Sequence, residues 1–199
     1  MTTRNEKNNQ PFIKGEVQIL NRRSQELTIS LENDNKYWTK EYIDECIQKE
    51  EDQKKRIYFT LLWKTGLRVT ESLNIRKKDF DFQKQILKIR WLKNRKIKER
   101  YIPLHHTLID IMRLYISTYL SEDKIFPWSR QNSYRMCQNI FRGNPHKLRH
   151  SFAVHWIMQG GQIYILSKML GHSSIKTTEQ EYLNIIPIDQ GKELNKIIF

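Results

Sequence analysis

The 199-residue chain has few of the features that place a protein quickly. Its two cysteines, Cys46 and Cys137, make neither a disulfide framework nor a zinc knuckle, and they suit a reducing compartment. No apolar run approaches the roughly 18–20 residues that cross a bilayer. The opening MTTRNEKNNQ lacks an apolar signal-peptide core. A cytoplasmic protein is therefore expected, nucleoid-associated or in a host cell if viral. Acidic residues are the minority: 22 Asp and Glu against 35 Lys and Arg, a net charge of +13. This excludes an acidic solvating tail and makes a polyanion the expected partner, because Lys and Arg gain affinity by displacing counterions from phosphates. No strongly basic amphipathic terminal helix points to a membrane surface instead. Hydrophobic residues are 38% of the chain, enough for a core, and the length suits one main domain with a small arm.

The chain contains no internal repeat. Residues 1–36 are polar, with one apolar patch from Val17 to Leu20, and read as a loosely ordered arm or part of a strand. Thr39 is placed to cap a helix over KEYIDECIQKE, with Glu41 in its first turn. A second helix is expected from about Gln53 to Thr65, ended by Gly66, and a short third from Arg68 to Leu73. The period then changes. KQILKIRW alternates, RYIPL at Arg100–Leu104 is extended, and the intervening LKNRKIKE reads as a basic turn, making a β-hairpin. Helices follow at about Thr107–Leu120, Asn132–Phe141, Pro145–Met158 and Ile163–Leu170, with a last one around Tyr182. Gly160-Gly161 and Gly171 break the pattern between them. The expected fold is mainly α (α+β) with a small antiparallel sheet.

The strongest local signal is HKLRH. On a helix, His146, Arg149 and His150 share a face. The spacing of the two histidines resembles a helical zinc site, but Lys147 stands where a glutamate is needed, and Arg149 would repel a dication. A solvated basic helix face is the plain alternative. The functional reading is a phosphate site, since arginine presents a bidentate fork to phosphate oxygens. Arg68 follows Gly66, and Glu71, three residues on, could hold its guanidinium. His172 precedes the N-terminus of a helix capped by Ser173 or Ser174, where exposed N–H groups favour anions. Tyr182 lies on that helix; taken alone, one tyrosine of nine reads as core or surface.

Taken together in order, TGLRVTESL, the basic hairpin ending in RYIPL, HKLRHSFAVHW, MLGHSSIKTT and Tyr182 resemble the boxes of the tyrosine recombinase (phage integrase) family. The resemblance covers roughly Thr39 to Ile186. It implies that Arg68 and Arg149 clamp the phosphate, that His146 is the basic residue three before the second arginine, that His172 is the third-box histidine and that Tyr182 is the nucleophile. A hairpin lysine is also implied, with Lys93 the first candidate and Lys96 the second. Glu71 and His150 are supporting residues. His172 to Tyr182 is one residue longer than the family's usual spacing, and a bulge or loop around Ser174 to Thr178 is expected to absorb the extra residue. Only about 38 residues precede the implied catalytic region, where family members commonly carry a helical DNA-clamping domain.

The chemistry so implied is metal-free phosphodiester transfer with no cofactor. A tyrosine attacks, donors hold the non-bridging oxygens, and a lysine protonates the departing 5′ oxygen. A metal-dependent nuclease would need clustered carboxylates, and only Glu71, Glu179 and Glu181 lie near the motifs. Lys88 to Arg100 carries seven Lys or Arg in 13 residues. Arg90, Arg95, Lys96, Lys98 and Arg100, with Lys147, are expected to contact the DNA backbone, which positions without specifying sequence. The expectation is a site-specific DNA recombinase (integrase, resolvase or invertase type) acting on double-stranded DNA. Two rivals stand beside it: an inactive DNA-binding regulator with the same fold, and a type IB topoisomerase-like relaxing enzyme. The resemblance further implies a tetramer on paired sites. The apolar tail after Pro187, with Ile188, Leu194, Ile197, Ile198 and Phe199, is expected to dock on a neighbour. The organisation expected is therefore an arm over 1–36, a catalytic domain over 37–186 and a tail over 187–199.

Overall fold

Asp52 opens the helix around which the other elements pack. Its side chain accepts a hydrogen bond from the Lys55 amide, and the helix, α2 (Gln53–Thr65), ends at Gly66 with a left-handed φ of 63°. Ile57, Tyr58, Phe59, Leu61, Leu62 and Trp63 are all buried, so α2 is apolar on nearly every side, as a central helix must be. The computed structural model describes residues 37–93, 96–119 and 123–182. For Lys93 it describes the backbone only. The expected arm, Arg95 and the expected tail lie outside the described residues.

Before α2 lies α1 (Lys40–Lys49), where Thr39 caps the Tyr42 amide as expected. After it comes the short α3 (Val69–Ser72), then a 3-10 turn at Lys77–Asp79. The sheet has three antiparallel strands in the order β1 (Phe80–Asp81), β2 (Ile86–Lys93) and β3 (Lys96–Pro103). Helices α4 (His106–Tyr119), α5 (Arg130–Phe141), α6 (Pro145–Met158), α7 (Ile163–Leu170) and α8 (Ile175–Tyr182) complete it. Side-chain caps start several of them: Ser129 accepts from the Asn132 amide, Asn144 from the Lys147 amide ahead of Pro145, and Ser174 from the Lys176 amide. The mainly helical fold with a small antiparallel sheet is the one expected.

The hairpin needs correction. LKNRKIKE is not a turn throughout, because the ladder runs from Ile86↔Pro103 to Lys93↔Lys96 and places most of the stretch in paired strands. The stretch looks like a turn because it is polar, and its Lys96, Ile97, Lys98 and Glu99 are exposed. Cross-strand charge pairs run along it instead: Glu99 meets Lys88 at 3.2 Å and Arg90 at 3.3 Å. Sequence reasoning also missed β1, a two-residue strand too short for any period to show.

The core gathers aromatic rings on α2. Tyr58 meets Phe126 edge-on at 5.0 Å, and Phe59 meets Phe141 at 5.1 Å. The Tyr58 hydroxyl is satisfied by Ser133 at 2.6 Å and Ser72 at 3.2 Å. Burial pushes the Cys137 thiol up to about 12, so this cysteine packs as a small hydrophobe.

Candidate active site

Arg68 stands at the N-terminus of α3, where the side chain of Glu71 folds back to accept its amide hydrogen bond at 2.9 Å. The same carboxylate takes the Arg68 Nη1 at 3.0 Å, as the spacing in TGLRVTE suggested. It also binds Arg100 through two parallel hydrogen bonds of 2.8 Å. Burial opposes ionisation of Glu71, but the contacts with Arg100 and then Arg68 outweigh it and hold the carboxyl below its ordinary value.

Arg149 projects from α6 into a buried junction. It donates to the Gly66 carbonyl at 2.7 Å, to the Leu170 carbonyl at 2.8 Å and to His172 Nε2 at 3.3 Å. Three of its five N–H groups are thereby committed, leaving two for another acceptor. Burial, together with Arg68, pulls its guanidinium down to about 10. Because arginine can only donate, His172 Nε2 must be the acceptor, so His172 is neutral and its Nδ1–H faces Thr178 Oγ1 at 2.7 Å. Burial and Arg149 both lower its affinity for a proton.

Tyr182, at the end of α8, is only 2% exposed. Burial pushes its phenol above the ordinary tyrosine value, and the adjacent Glu181 carboxylate adds to this while Arg149 opposes it. His150 lies 5.1 Å from the Tyr182 ring, and its Nδ1 is 3.4 Å from Glu181. No bulge lies within 175–182, because α8 is continuous there. Of the bulge or loop expected around Ser174 to Thr178, only Ser174 is non-helical, at the end of a short loop over 172–174, and the helix starts directly after it.

These groups line one open cleft of about 550 Å³: Arg68, Asn144, His146, Lys147, Arg149, His150, His172, Glu181 and Tyr182. A tyrosine, two arginines and two motif histidines from four separate segments thus meet at one place. A phage integrase family model matches residues 38–186. The chain belongs to the phage integrase family. Tyrosine recombinase XerA of Thermococcus onnurineus is 34% identical over 140 residues, 62% of this chain and 49% of the relative. A tyrosine recombinase of Pseudothermotoga lettingae is 32% identical over 160 residues, 74% and 55% of the two chains. The chain spans about half the length of the curated relatives it matches. In fold it is similar to the crystal structure of XerA recombinase, with a TM-score of 0.64 at 22% identity over 80% of this chain and 64% of that one. The catalytic domain of bacteriophage HP1 integrase gives a TM-score of 0.62 at 20% identity, over 80% and 93%.

Against this phage integrase fold, the expected site residues divide. Arg68, His146, Arg149, His172 and Tyr182 come together, with His150 beside the tyrosine and Glu71 behind Arg68. Lys147 lines the cleft with its ammonium 5.2 Å from the Trp38 ring. Lys96 and Lys98 are exposed on β3. Arg90 is paired with Asp79 at 2.8 Å. Arg100 corrects the expectation of a DNA contact, because it is buried against Glu71 and the Met169 carbonyl. The signal was present: Arg100 shares the inward face of β3 with Ile102, two residues on. Sequence reasoning also missed the part of Glu181 beside the tyrosine, since neighbours on a helix do not usually face one site. Among the described residues no group of three or more His, Cys, Asp or Glu could hold a metal ion, and no helix is long and apolar enough to cross a membrane.

Proposed function

We propose that the chain is a site-specific DNA recombinase that breaks and rejoins double-stranded DNA through a 3′-phosphotyrosyl intermediate. The observation that carries this reading is the convergence of Tyr182 with Arg68 and Arg149 in one cleft. A scissile phosphate placed there meets the two N–H groups that Arg149 has left over and the outward part of the Arg68 guanidinium. These are preorganised donors for the charge that grows on the non-bridging oxygens. The Tyr182 oxygen attacks phosphorus and passes its proton to the Glu181 carboxylate hydrogen-bonded beside it, and the P–O5′ bond breaks. A hairpin lysine, Lys93 before Lys96, gives its proton to the departing 5′ oxygen. Because the phosphotyrosyl ester keeps the bond energy, a 5′ hydroxyl of another strand reseals the DNA without ATP. A tetramer on two paired sites gives each exchanged strand its own nucleophile. In this reading residues 37–186 form the catalytic domain, 1–36 an arm and 187–199 a tail exchanged between protomers.

Nicked duplexes with randomised flanks, from which the cleaved end diffuses away, test the proposal. A protein–DNA adduct that survives denaturant is expected from the wild type and not from Tyr182→Phe, whose DNA affinity should be nearly unchanged. DNA binding with no adduct would favour an inactive regulator. Relaxation of supercoils lacking any paired site would favour a topoisomerase-like enzyme.

A further inference from the structure

Glu71 sits directly behind Arg68, and a carboxylate there threatens the function just proposed. Fork-to-fork pairing is the preferred geometry of a carboxylate and a guanidinium. A Glu71 free to pair that way would turn the Arg68 fork inward and cancel its charge. In this structure it does not, because another arginine holds the fork position. Arg100 Nη1 and Nη2 occupy Oε1 and Oε2 at 2.8 Å each. Arg68 is left with one side-chain hydrogen bond to Oε1 and its backbone amide on Oε2. The carboxylate's roughly four acceptor positions are then filled, and the Arg68 side chain remains 38% exposed toward the cleft.

We propose that Arg100 is a positioning residue that keeps Arg68 charged and outward-facing by saturating Glu71. The inference rests on the recombinase reading for its consequence, but not for its geometry. The corner carries Glu71 with two arginines, a formal sum of −1 + 2 = +1. Without Arg100 the sum is zero. Arg100 is itself anchored for this task. Its Nε donates to the Met169 carbonyl at 2.8 Å, and the Trp91 ring lies 5.2 Å from its guanidinium carbon. Gly171 leaves room for it, since a Cβ there would lie 2.9 Å from Arg100 Nη1. Strand β3, Glu71 of α3 and the end of α7 are thus joined through one buried side chain, where low dielectric strengthens each charged hydrogen bond.

A double-mutant cycle of Arg100→Met with Arg68→Ala tests this, read in two ways. One reading is the adduct-forming rate at saturating nicked DNA, beside the Kd for the same DNA. The other is the Kd for inorganic phosphate at the cleft, followed by the His172 imidazole resonance. Arg100→Met is expected to slow adduct formation at least about tenfold and to weaken phosphate about tenfold, while the DNA Kd moves less than about threefold. In the Arg68→Ala background the same substitution should change either reading less than about twofold. Arg100→Lys keeps the charge without the fork, so its losses should be intermediate and again confined to chains that retain Arg68. Removing one member of a buried pair is costly, so folding is checked by thermal midpoint, and the Lys variant carries the cycle if the Met variant does not fold. Equal losses with and without Arg68 would mean that Arg100 is merely structural and would overturn the proposal, as would an unchanged phosphate affinity. If the wild type forms no adduct on any duplex, the recombinase reading falls, and the phosphate cycle still decides the part played by Arg100.

Discussion

Replacing Gly66 by alanine should damage this protein far more than one added methyl group suggests. Gly66 closes α2 at a φ of 63°, which costs an L-residue about 1–2 kcal/mol. A Cβ there would also overlap the Phe152 ring and lie 3.0 Å from Leu170 Cδ2. Phe152 is a buried residue of α6, so overpacking adds about 1–3 kcal/mol. The sum is about 2–5 kcal/mol, which for a chain of this size lowers the thermal midpoint by about 4–20 °C. Gly160 supplies the control, having a φ of 79° and no atom within 4 Å of its missing Cβ. Gly160→Ala should cost only the backbone strain, less the entropy removed from the unfolded chain, and shift the midpoint by no more than about 5 °C. The two also differ in function, because the Gly66 carbonyl accepts from Arg149 at 2.7 Å. Shifting it should slow adduct formation, whereas Gly160→Ala should not. Calorimetry of both variants with single-turnover cleavage is the assay. Equal midpoint shifts would refute the steric argument, and wild-type cleavage by a folded Gly66→Ala would refute the link to Arg149.

Arg149→Lys keeps a positive charge but cannot reach Gly66, Leu170 and His172 together; it should lose about 10²-fold in cleavage and about 1–3 kcal/mol for each carbonyl left bare, seen by single-turnover kinetics and denaturant melts. Lys93→Ala should be rescued by a 5′-bridging phosphorothiolate, whose sulfur leaves without an acid; rescue of Lys96→Ala instead would move the acid along the hairpin. His172 binds its proton less readily when folded than its ordinary 6.5, so its contribution is complete above pH 6.5 and is lost as the pH falls below it. Arg149, Arg68 and Arg100 disfavour its charging and Glu181 favours it. Thermal midpoints should therefore decline as the pH falls from about 7.5 to about 5, and His172→Asn should flatten that decline without abolishing it, since His155 is also depressed by burial.

Much of this architecture was legible residue by residue, and the exceptions share a cause. Thr39 and Gly66 announce helix ends because capping is a local transaction between a side chain or a φ angle and the nearest backbone. The inner half of the hairpin was readable because Leu87, Ile89 and Ile102 are buried and leave an alternating pattern. The outer half of β3 was not, because Lys96, Ile97, Lys98 and Glu99 are exposed and nothing there sorts apolar from polar. Charge misled in the same stretch. Arg100 looks like its basic neighbours, and only the fold, by setting Glu71 opposite it, makes it an interior ion-paired group. The meeting of Arg68, Arg149, His172 and Tyr182 is likewise non-local, so the residues were nameable in advance only through their resemblance to a known set of boxes. The helix over Ile175–Tyr182 that brings Tyr182 to the cleft could not be told in sequence from the bulge or loop that was expected.

Arg68 and Arg149 meet their counter-charges in different forms. Arg68 faces a full carboxylate, whereas among the described residues no carboxylate hydrogen-bonds Arg149. Its guanidinium instead caps the ends of two helices, the Gly66 carbonyl closing α2 and the Leu170 carbonyl closing α7. Each helix end carries roughly half a negative charge spread over its last peptide groups, so two of them nearly offset one cation. Dipoles built into the backbone cannot be titrated, and they cannot pivot to seize the whole fork as a glutamate can. Arg149 is thus kept in the interior by a counter-charge that stays behind it when an anion arrives in front, over the whole pH range in which the helices hold.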